Sequence, residues 1–485
     1  MIAVGILVFG RLLVPHFIKN IRIPIEKGIQ KIGHALLFKV FSIIAVVIAL
    51  VINLIPLIKQ LRQEPNVLIL IVDTLRSDYT AIGNNTTPNT PYLKADLMPD
   101  SLCYSNAFSN SPWTLPSVSS LLTSQYPSRL NINNLVSRLD EKHLTLTEIL
   151  RERGYFTYGA VSHLLLQQKY GLHQGFNIYN EKNISAEYYN HNSISSPGIT
   201  DNAIQFIRKN RKRKFFMLLH YFDPHYSYIN HNPSSSYSGE FTSRDISYLR
   251  ALIRENKYAV QDIDYLKDSY SSEIVFTDFH IGKVIDELKS KNIYDKTLIV
   301  FTSDHGEEFV EKGWLGHSTT LYNEQIKIPL LIKRPSTVLK FEAPTQSQFV
   351  SNIDIAPSVL RLLGISPSPQ FQGEDIFSDN SENRFVFSEV VQREYGELKD
   401  KTCVISNGWK LIYDFVTKQY ELYNLEKDRD ENKNILGSNG DVERTLKMRL
   451  GKWSNENRIK PQPAKLRKPL TDQEKKKLKS LGYIK

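Results

Sequence analysis

The sequence predicts a layered α/β/α domain carried behind a membrane-spanning helix, and three observations lead there. From Val40 to Ile58 nineteen residues pass without a charge and are rich in Ile, Val and Leu, long enough to cross a hydrocarbon core as a helix. Beyond residue 64, short apolar runs of branched residues alternate with amphipathic helical stretches, the pattern of strands buried on both faces of an α/β sheet. Acidic and imidazole residues stand directly after those runs, where open α/β sheets bind ligands.

The anchor comes first in the chain. Its apolar run lies too deep for a cleavable signal peptide and continues into Lys59-Gln60-Leu61-Arg62 without a small-residue cleavage site. Arg11, Lys19, Arg22, Lys27, Lys31 and Lys39 precede it against Lys59 and Arg62 after it, so the positive-inside bias leaves the N-terminus in the cytoplasm and everything after residue 64 outside. Residues 1–18 are also apolar, but Arg11 and Pro15 interrupt them, which leaves an interfacial helix and a short second span equally open. The net charge of +10 is confined to the ends: residues 1–65 hold eight Lys/Arg against two Glu, and residues 460–485 hold nine against Asp472 and Glu474. The middle is about −3 by difference, which excludes a nucleic-acid groove. Cys103 and Cys403 form no disulfide framework or zinc module; two buried free thiols are expected, with one long-range bridge as the alternative.

The strands follow in order. Asn66–Val72 ends on Asp73, and similar runs lie at Phe156–Val161, Phe215–Tyr221, Leu298–Thr302 and Ile328–Ile332, with an amphipathic helix at Tyr270–Leu288. Between the first two strands, Thr114 in Trp113-Thr114-Leu115-Pro116-Ser117 precedes an apolar helical run. Read locally it is a helix N-cap.

Its wider setting gives it chemistry. Asp73, Asp304 and His305 supply two carboxylates and an imidazole at strand ends, and the Thr114 hydroxyl completes a four-coordinate site for zinc or manganese. A metal there lowers the pKa of the hydroxyl and makes it a usable nucleophile, while the helix N-terminus favours an anionic group. His225, closing the run His220-Tyr221-Phe222-Asp223-Pro224-His225, and His317, after Gly316, come from loops that fit the same site. A second metal could be built from Asp223, His225 and His317.

Taken together these segments resemble the sulfatase family of the alkaline phosphatase superfamily, from about Asn66 to the C-terminus. The resemblance is carried, in family order, by Asn66 to Asp78, Trp113 to Pro127, Gly154-Tyr155-Phe156-Thr157, the loop ending at His225, Ser303-Asp304-His305-Gly306-Glu307-Glu308, Gly316-His317, Tyr322-Asn323-Glu324, Asp354-Ile355-Ala356-Pro357, Trp409-Lys410-Leu411-Ile412, Glu421 to Leu425 and Leu481-Gly482-Tyr483. It implies Asp73, Asp304 and His305 as metal ligands, residue 114 as nucleophile, and His225 and His317 as groups that hold the transferred anion or protonate the leaving group. It also implies a mixed, largely parallel central sheet and a small C-terminal antiparallel-sheet subdomain. The domain plan is then an anchor at 1–64, a catalytic domain at 65–375, and a C-terminal subdomain with basic tail at 376–485.

Departures from the family pattern narrow the expected reaction. Sulfatases resemble one another in a Cys or Ser that is oxidised to formylglycine; Thr114 cannot give that aldehyde, because its β-carbon bears a methyl group. The motif's Arg is Val118, the Lys after Gly-Tyr-x-Thr is Ser162, and the second strand-end Asp is Thr74, which makes an oxygen-rich calcium site harder to build, though calcium stays possible. Superfamily members with Thr here are similar in acting on phosphorus. The expectation is a membrane-anchored hydrolase or phosphotransferase working on phosphate esters or phosphodiesters through Thr114, with lipid, glycan or other surface esters as substrates. A sulfuric ester hydrolase without formylglycine is the alternative, and a non-catalytic surface-binding protein the third reading.

Overall fold

A computed structural model describes residues 39–49, 64–184, 194–231, 241, 246–336, 347–378, 384–394, 397–458 and 470–480. The chain divides into two compact units, Met1–Gln63 and Glu64–Lys485. In the first, residues 39–49 are helical, with Val40, Phe41, Ile43, Ile44, Val46, Val47 and Ile48 exposed. Among the described residues no helix is long and apolar enough to cross a membrane. The rest of the expected span, the stretch 1–18 and the terminal Leu481-Gly482-Tyr483 lie outside the described residues.

The second unit is built on a mixed sheet of eight strands: β1 (Asn66–Val72), β2 (Ser101–Phe108), β3 (Phe156–Ala160), β4 (Ile178–Asn180), β5 (Phe215–Tyr221), β6 (Thr297–Ser303), β9 (Lys327–Lys333) and β10 (Val350–Ser351). Their order is β10-β2-β9-β6-β1-β5-β3-β4. Contacts of β1 with β5 and β6, and of β3 with β4 and β5, are parallel; β9 runs antiparallel to both β2 and β6. A small hairpin, β7 (Glu308–Phe309) with β8 (Leu315–Gly316), stands apart from this sheet.

Alternation along β1 produces the layers. Val67, Ile69 and Ile71 belong to one apolar core with Leu115, Val118, Leu121 and Leu122 of helix α1 (Thr114–Thr123) and with Ile355 and Leu360 of α5 (Ile355–Leu362). Leu68, Leu70 and Val72 belong to a second core, with Ile199 and Phe206 of α2 (Ser196–Asn210), Leu249 of α3 (Ile246–Arg254), and Ile274 and Ile281 of α4 (Val260–Ser290). A period of two sends successive side chains to opposite faces, and each buried Leu, Ile or Val contributes about 1.5–3 kcal/mol. The continuous apolar runs are therefore strands covered by helices on both sides, as expected.

Four antiparallel strands, β11 (Val386–Glu394), β12 (Glu397–Ser406), β13 (Trp409–Asp414) and β14 (Gln419–Asn424), form the C-terminal sheet. Leu446, Leu450 and Trp453 of α6 (Gly440–Asn457) pack on its Val404, Leu411 and Leu422. Cys103 and Cys403 are both free, and Cys103 is only partly buried, in contrast to the expected pair of buried thiols.

Candidate functional site

The parallel register brings three ligand-type side chains to one edge of the sheet. In β1 Val72 faces Tyr221 of β5 and Ser303 of β6, so His220, Asp73 and Asp304 emerge from three adjacent strands at the same carboxyl end. Ligand atoms of these three lie within 4.8 Å of one another. His305 joins them: its Nε2 is 3.7 Å from Asp73 Oδ1 and 3.5 Å from Asp304 Oδ2.

Thr114 reaches this group from the other side. The helix begins on Thr114 itself, with Trp113 in the N-cap position, which corrects the local reading of Thr114 as the cap. Freed from capping, its Oγ1 lies 3.2 Å from His305 Nε2. Ser117 fixes the helix against the metal-type loop by donating from Oγ to the Asp304 carbonyl at 2.6 Å. The Ser318 N–H donates to the Pro112 carbonyl at 2.9 Å and ties the His317 loop to the same helix start. The ten-residue helix that begins here turns its N-terminus, and with it a partial positive charge, toward Thr114.

The polar accounting points to a cation. Asp304 Oδ1 accepts from the N–H groups of Thr74 and His305, but its Oδ2, both Asp73 oxygens and both His220 ring nitrogens are buried without a hydrogen-bond partner. The His305 Nδ1–H is used on the Gly306 carbonyl at 3.0 Å, so the lone pair of its Nε2 faces the carboxylates. Desolvation, then repulsion from Asp304 and Glu307, pushes the Asp73 carboxyl well above its usual range. Leaving two such carboxylates buried and uncompensated costs several kcal/mol per ion. A divalent metal held by Asp73, Asp304 and His220, with His305 and Thr114 beside it, fits this donor set of oxygen and imidazole. The expected second acid is here Thr74, whose hydroxyl donates to the Pro224 carbonyl at 2.9 Å. Thr74 also holds a φ of 54°, a strained conformation for a β-branched residue that costs about 1–3 kcal/mol and clusters at functional sites.

Histidines enclose the site. His225 and His317 have ring centroids 4.9 Å apart, and His317 and His305 4.5 Å. Burial, reinforced by His317, pushes His225 down to about 3, and burial takes His220 to about 4. His317 is pushed well below the ordinary value by burial, then by His305, Arg250 and Lys399. Its Nδ1 lies 2.9 Å from Glu307 Oε1, so it has a carboxylate behind it, whereas His225 Nδ1–H donates to the Tyr226 carbonyl. His163, 5.4 Å from the His225 ring, completes the group.

All six residues expected from the sequence therefore converge: Asp73, Thr114, Asp304, His305, His225 and His317. The additional metal-type residue is His220, whose place one residue before the end of β5 was the available signal. Glu307 and His163 acquire their positions only through the loops that follow β6 and β3. The second metal set loses Asp223, because its two oxygens accept the N–H groups of Ser195 and Ser196 at 2.5 and 2.7 Å. Val118 is packed in the core, and the Ser162 hydroxyl donates to the His220 carbonyl at 2.6 Å, so neither position carries a cation toward the anion.

Residues 65–365 match the family described as "Sulfatase", well over half of the chain. The chain belongs to the sulfatase family. The chain also matches "N-sulphoglucosamine sulphohydrolase, C-terminal" over residues 310–456. It is similar to arylsulfatase K of Mus musculus, 22% identical over 456 residues and covering 81% of this chain and 79% of that protein. A solved 2-O GAG sulfatase superposes with a TM-score of 0.67 at 16% identity, covering 81% of this chain and 93% of that one. The phosphonate monoester hydrolase of Silicibacter pomeroyi gives a TM-score of 0.63 at 17% identity, covering 81% and 96%. Family membership makes this chain a sulfatase-superfamily hydrolase.

Proposed function

We propose that this chain is a metal-dependent hydrolase of singly charged tetrahedral esters, with the Thr114 hydroxyl as nucleophile and without formylglycine. The observation that carries the reading is Thr114 Oγ1 against His305 Nε2 at 3.2 Å, in a site where Val118 and Ser162 replace the family's Arg and Lys. Losing two cations lowers the affinity for a doubly charged phosphate monoester more than for a monoanion. Sulfate esters come first among the monoanions, because the family and its relatives act there. Phosphodiesters are the second reading, favoured by the threonine itself and by the likeness to a phosphonate monoester hydrolase.

A metal held by Asp73, Asp304 and His220 would supply Lewis acidity that lowers the pKa of the Thr114 hydroxyl. His305 Nε2 takes the hydroxyl proton as the oxygen attacks sulfur or phosphorus, and the ester bond to the leaving oxygen breaks in line. The N-terminus of α1 faces the developing negative charge. Neutral His317 gives its Nε2 proton to the leaving oxygen and takes a proton at Nδ1 from Glu307, whose carboxyl burial raises toward the protonated form. Water then attacks the Thr114 adduct and restores the hydroxyl. Membrane attachment belongs to the same proposal, supported by the seven exposed apolar side chains of residues 40–48; recovery of the chain in the soluble fraction of its cells would overturn it.

The test is incubation of the full chain with manganese or zinc and nitrophenyl esters of sulfate, phosphate monoester and phosphodiester type. Turnover of the monoanionic esters is expected, together with an adduct on the Thr114 peptide after acid quench. Thr114→Ala should lower kcat by about a thousandfold or more. Unchanged turnover in that variant would remove Thr114 from the reaction.

A further inference from the structure

The amino edge of the central sheet, opposite the site, carries a charge that the reaction does not use. Segments 151–154 and 207–214 lead into β3 and β5 and hold eight Lys/Arg against Glu152 alone, although the chain between its basic ends is negative overall. β3 and β5 are parallel neighbours with Phe156 beside Phe215, and β5 also pairs with β1. Both segments therefore open on the edge where the second unit begins, at Glu64. Lys214 ties them together there, because its Nζ donates to the Arg153 carbonyl at 2.5 Å and pairs with Glu64. Arg151, Arg153, Lys209, Arg211, Lys212 and Arg213 are all exposed. Among the described residues none of these six has a carboxylate partner, whereas Arg208 and Lys214 beside them are paired with Glu287 and Glu64.

We infer that this basic edge docks on a membrane surface bearing anionic lipid headgroups. The apolar run expected to anchor the chain ends at Ile58, and only residues 59–63 separate it from Glu64. Fully extended, that tether reaches about 18 Å. This inference rests on the membrane attachment proposed above and extends it to the orientation of the catalytic unit.

Charge and reach favour that partner. Each Lys or Arg held within a Debye length of an anionic bilayer raises the partition toward it by about fivefold. A short tether keeps such an edge near the bilayer at high effective concentration, so several weak contacts act together. Arg213 lies over the Phe156 ring at 4.2 Å, which holds its charge at the strand end. β1 has seven residues, so Asp73 at its carboxyl end stands roughly 20 Å from the docked edge. The reacting groups then face away from the bilayer, and esters reach them from the aqueous side.

Lysine acetylation of the full chain, read site by site by peptide mass spectrometry, tests the docking. The chain is mixed with vesicles of phosphatidylcholine alone or of phosphatidylcholine with phosphatidylglycerol, and flotation reports which vesicles carry it. Lys209 and Lys212 should acetylate about fivefold or more slowly on the anionic vesicles, and high salt should remove the difference. Lys427, exposed in the C-terminal subdomain, should react equally on both. Arg211→Gln with Arg213→Gln should remove most of the protection, whereas Arg211→Lys with Arg213→Lys should keep it. Equal rates on the two vesicles, or protection untouched by the glutamine pair, overturns the inference. Stronger protection by duplex DNA than by anionic vesicles overturns the choice of a membrane. Flotation on anionic vesicles only, with protection, leaves the docking standing and removes attachment through the apolar run; flotation on both without protection does the reverse.

Discussion

Replacing Lys410 with Met tests how the C-terminal sheet holds the catalytic loops. Lys410 on β13 is fully buried and pairs at 2.7 Å with Glu431, itself only 2% exposed. Its Nζ also donates to the Leu321 carbonyl at 3.0 Å and to Asn323 Oδ1 at 2.9 Å. The Glu431 Oε2 accepts the Asn323 N–H at 2.7 Å. This pair therefore fixes the turn from Leu321 to Ile326, and Gln325 in that turn accepts the Gly306 N–H beside His305. Burial raises the Glu431 carboxyl, and Lys410 acts against that rise. Without Lys410 the cheapest response is protonation of Glu431, which costs roughly 3 kcal/mol at pH 7 and under about 1 kcal/mol at pH 5. Two lost hydrogen bonds add about 2 kcal/mol at either pH. The sign follows from a folded pKa above the unfolded one: in the variant, Glu431 costs nothing below the ordinary carboxyl range and more as the pH rises through it. Urea denaturation followed by tryptophan fluorescence should show a loss of about 5 kcal/mol at pH 7 and about 3 kcal/mol at pH 5. Lys410→Met with Glu431→Gln should recover most of the pH-dependent part. An equal loss at the two pH values, or a loss below about 1 kcal/mol at pH 7, would refute the reasoning.

Glu307→Gln should lower kcat by about a hundredfold on esters with poor alkyl leaving groups and much less on nitrophenyl esters, because only the former need a proton from His317; an equal loss on both would assign Glu307 a structural role. Removing metal with a chelator should lower the unfolding midpoint, and restoring it at about 100 times Kd should return about 2.7 kcal/mol. Desolvation and the repulsion of Asp304 and Glu307 raise the Asp73 carboxyl, so the chelated protein should lose stability as the pH climbs above the carboxylate range, and Asp73→Asn should abolish both that loss and the metal response. Scanning calorimetry across pH decides it.

Much of the site was legible because the relevant residues stand at the ends of apolar runs. A run such as Asn66–Val72 must be a strand buried on both faces, and the residue after it must sit at a sheet edge, so Asp73 and Asp304 could be placed before any coordinates. Thr114 was legible through the departures around it: a methyl on its β-carbon rules out formylglycine chemistry whatever the fold does. His220 was harder to assign, since it lies inside its apolar run, and its approach to Asp73 depends on the parallel register of β5 with β1. Glu307 stood in a cited motif but without a role, and Arg250, Lys399 and His163 carry no local signal at all. Their sequence neighbours resemble those of ordinary surface or loop residues, and their meaning arises from long-range packing.

The sequence by itself therefore determined the layered class and the strand-end places of Asp73 and Asp304, and singled out Thr114, because strand periodicity and side-chain chemistry are local properties. Only the tertiary structure decided which histidine stands with Asp73 and Asp304, that Asp223 is consumed by backbone N–H groups, and which cations stand beside His317. Those outcomes depend on strand register and on loops that meet from distant parts of the chain, where buried polar groups must find partners that no local pattern records.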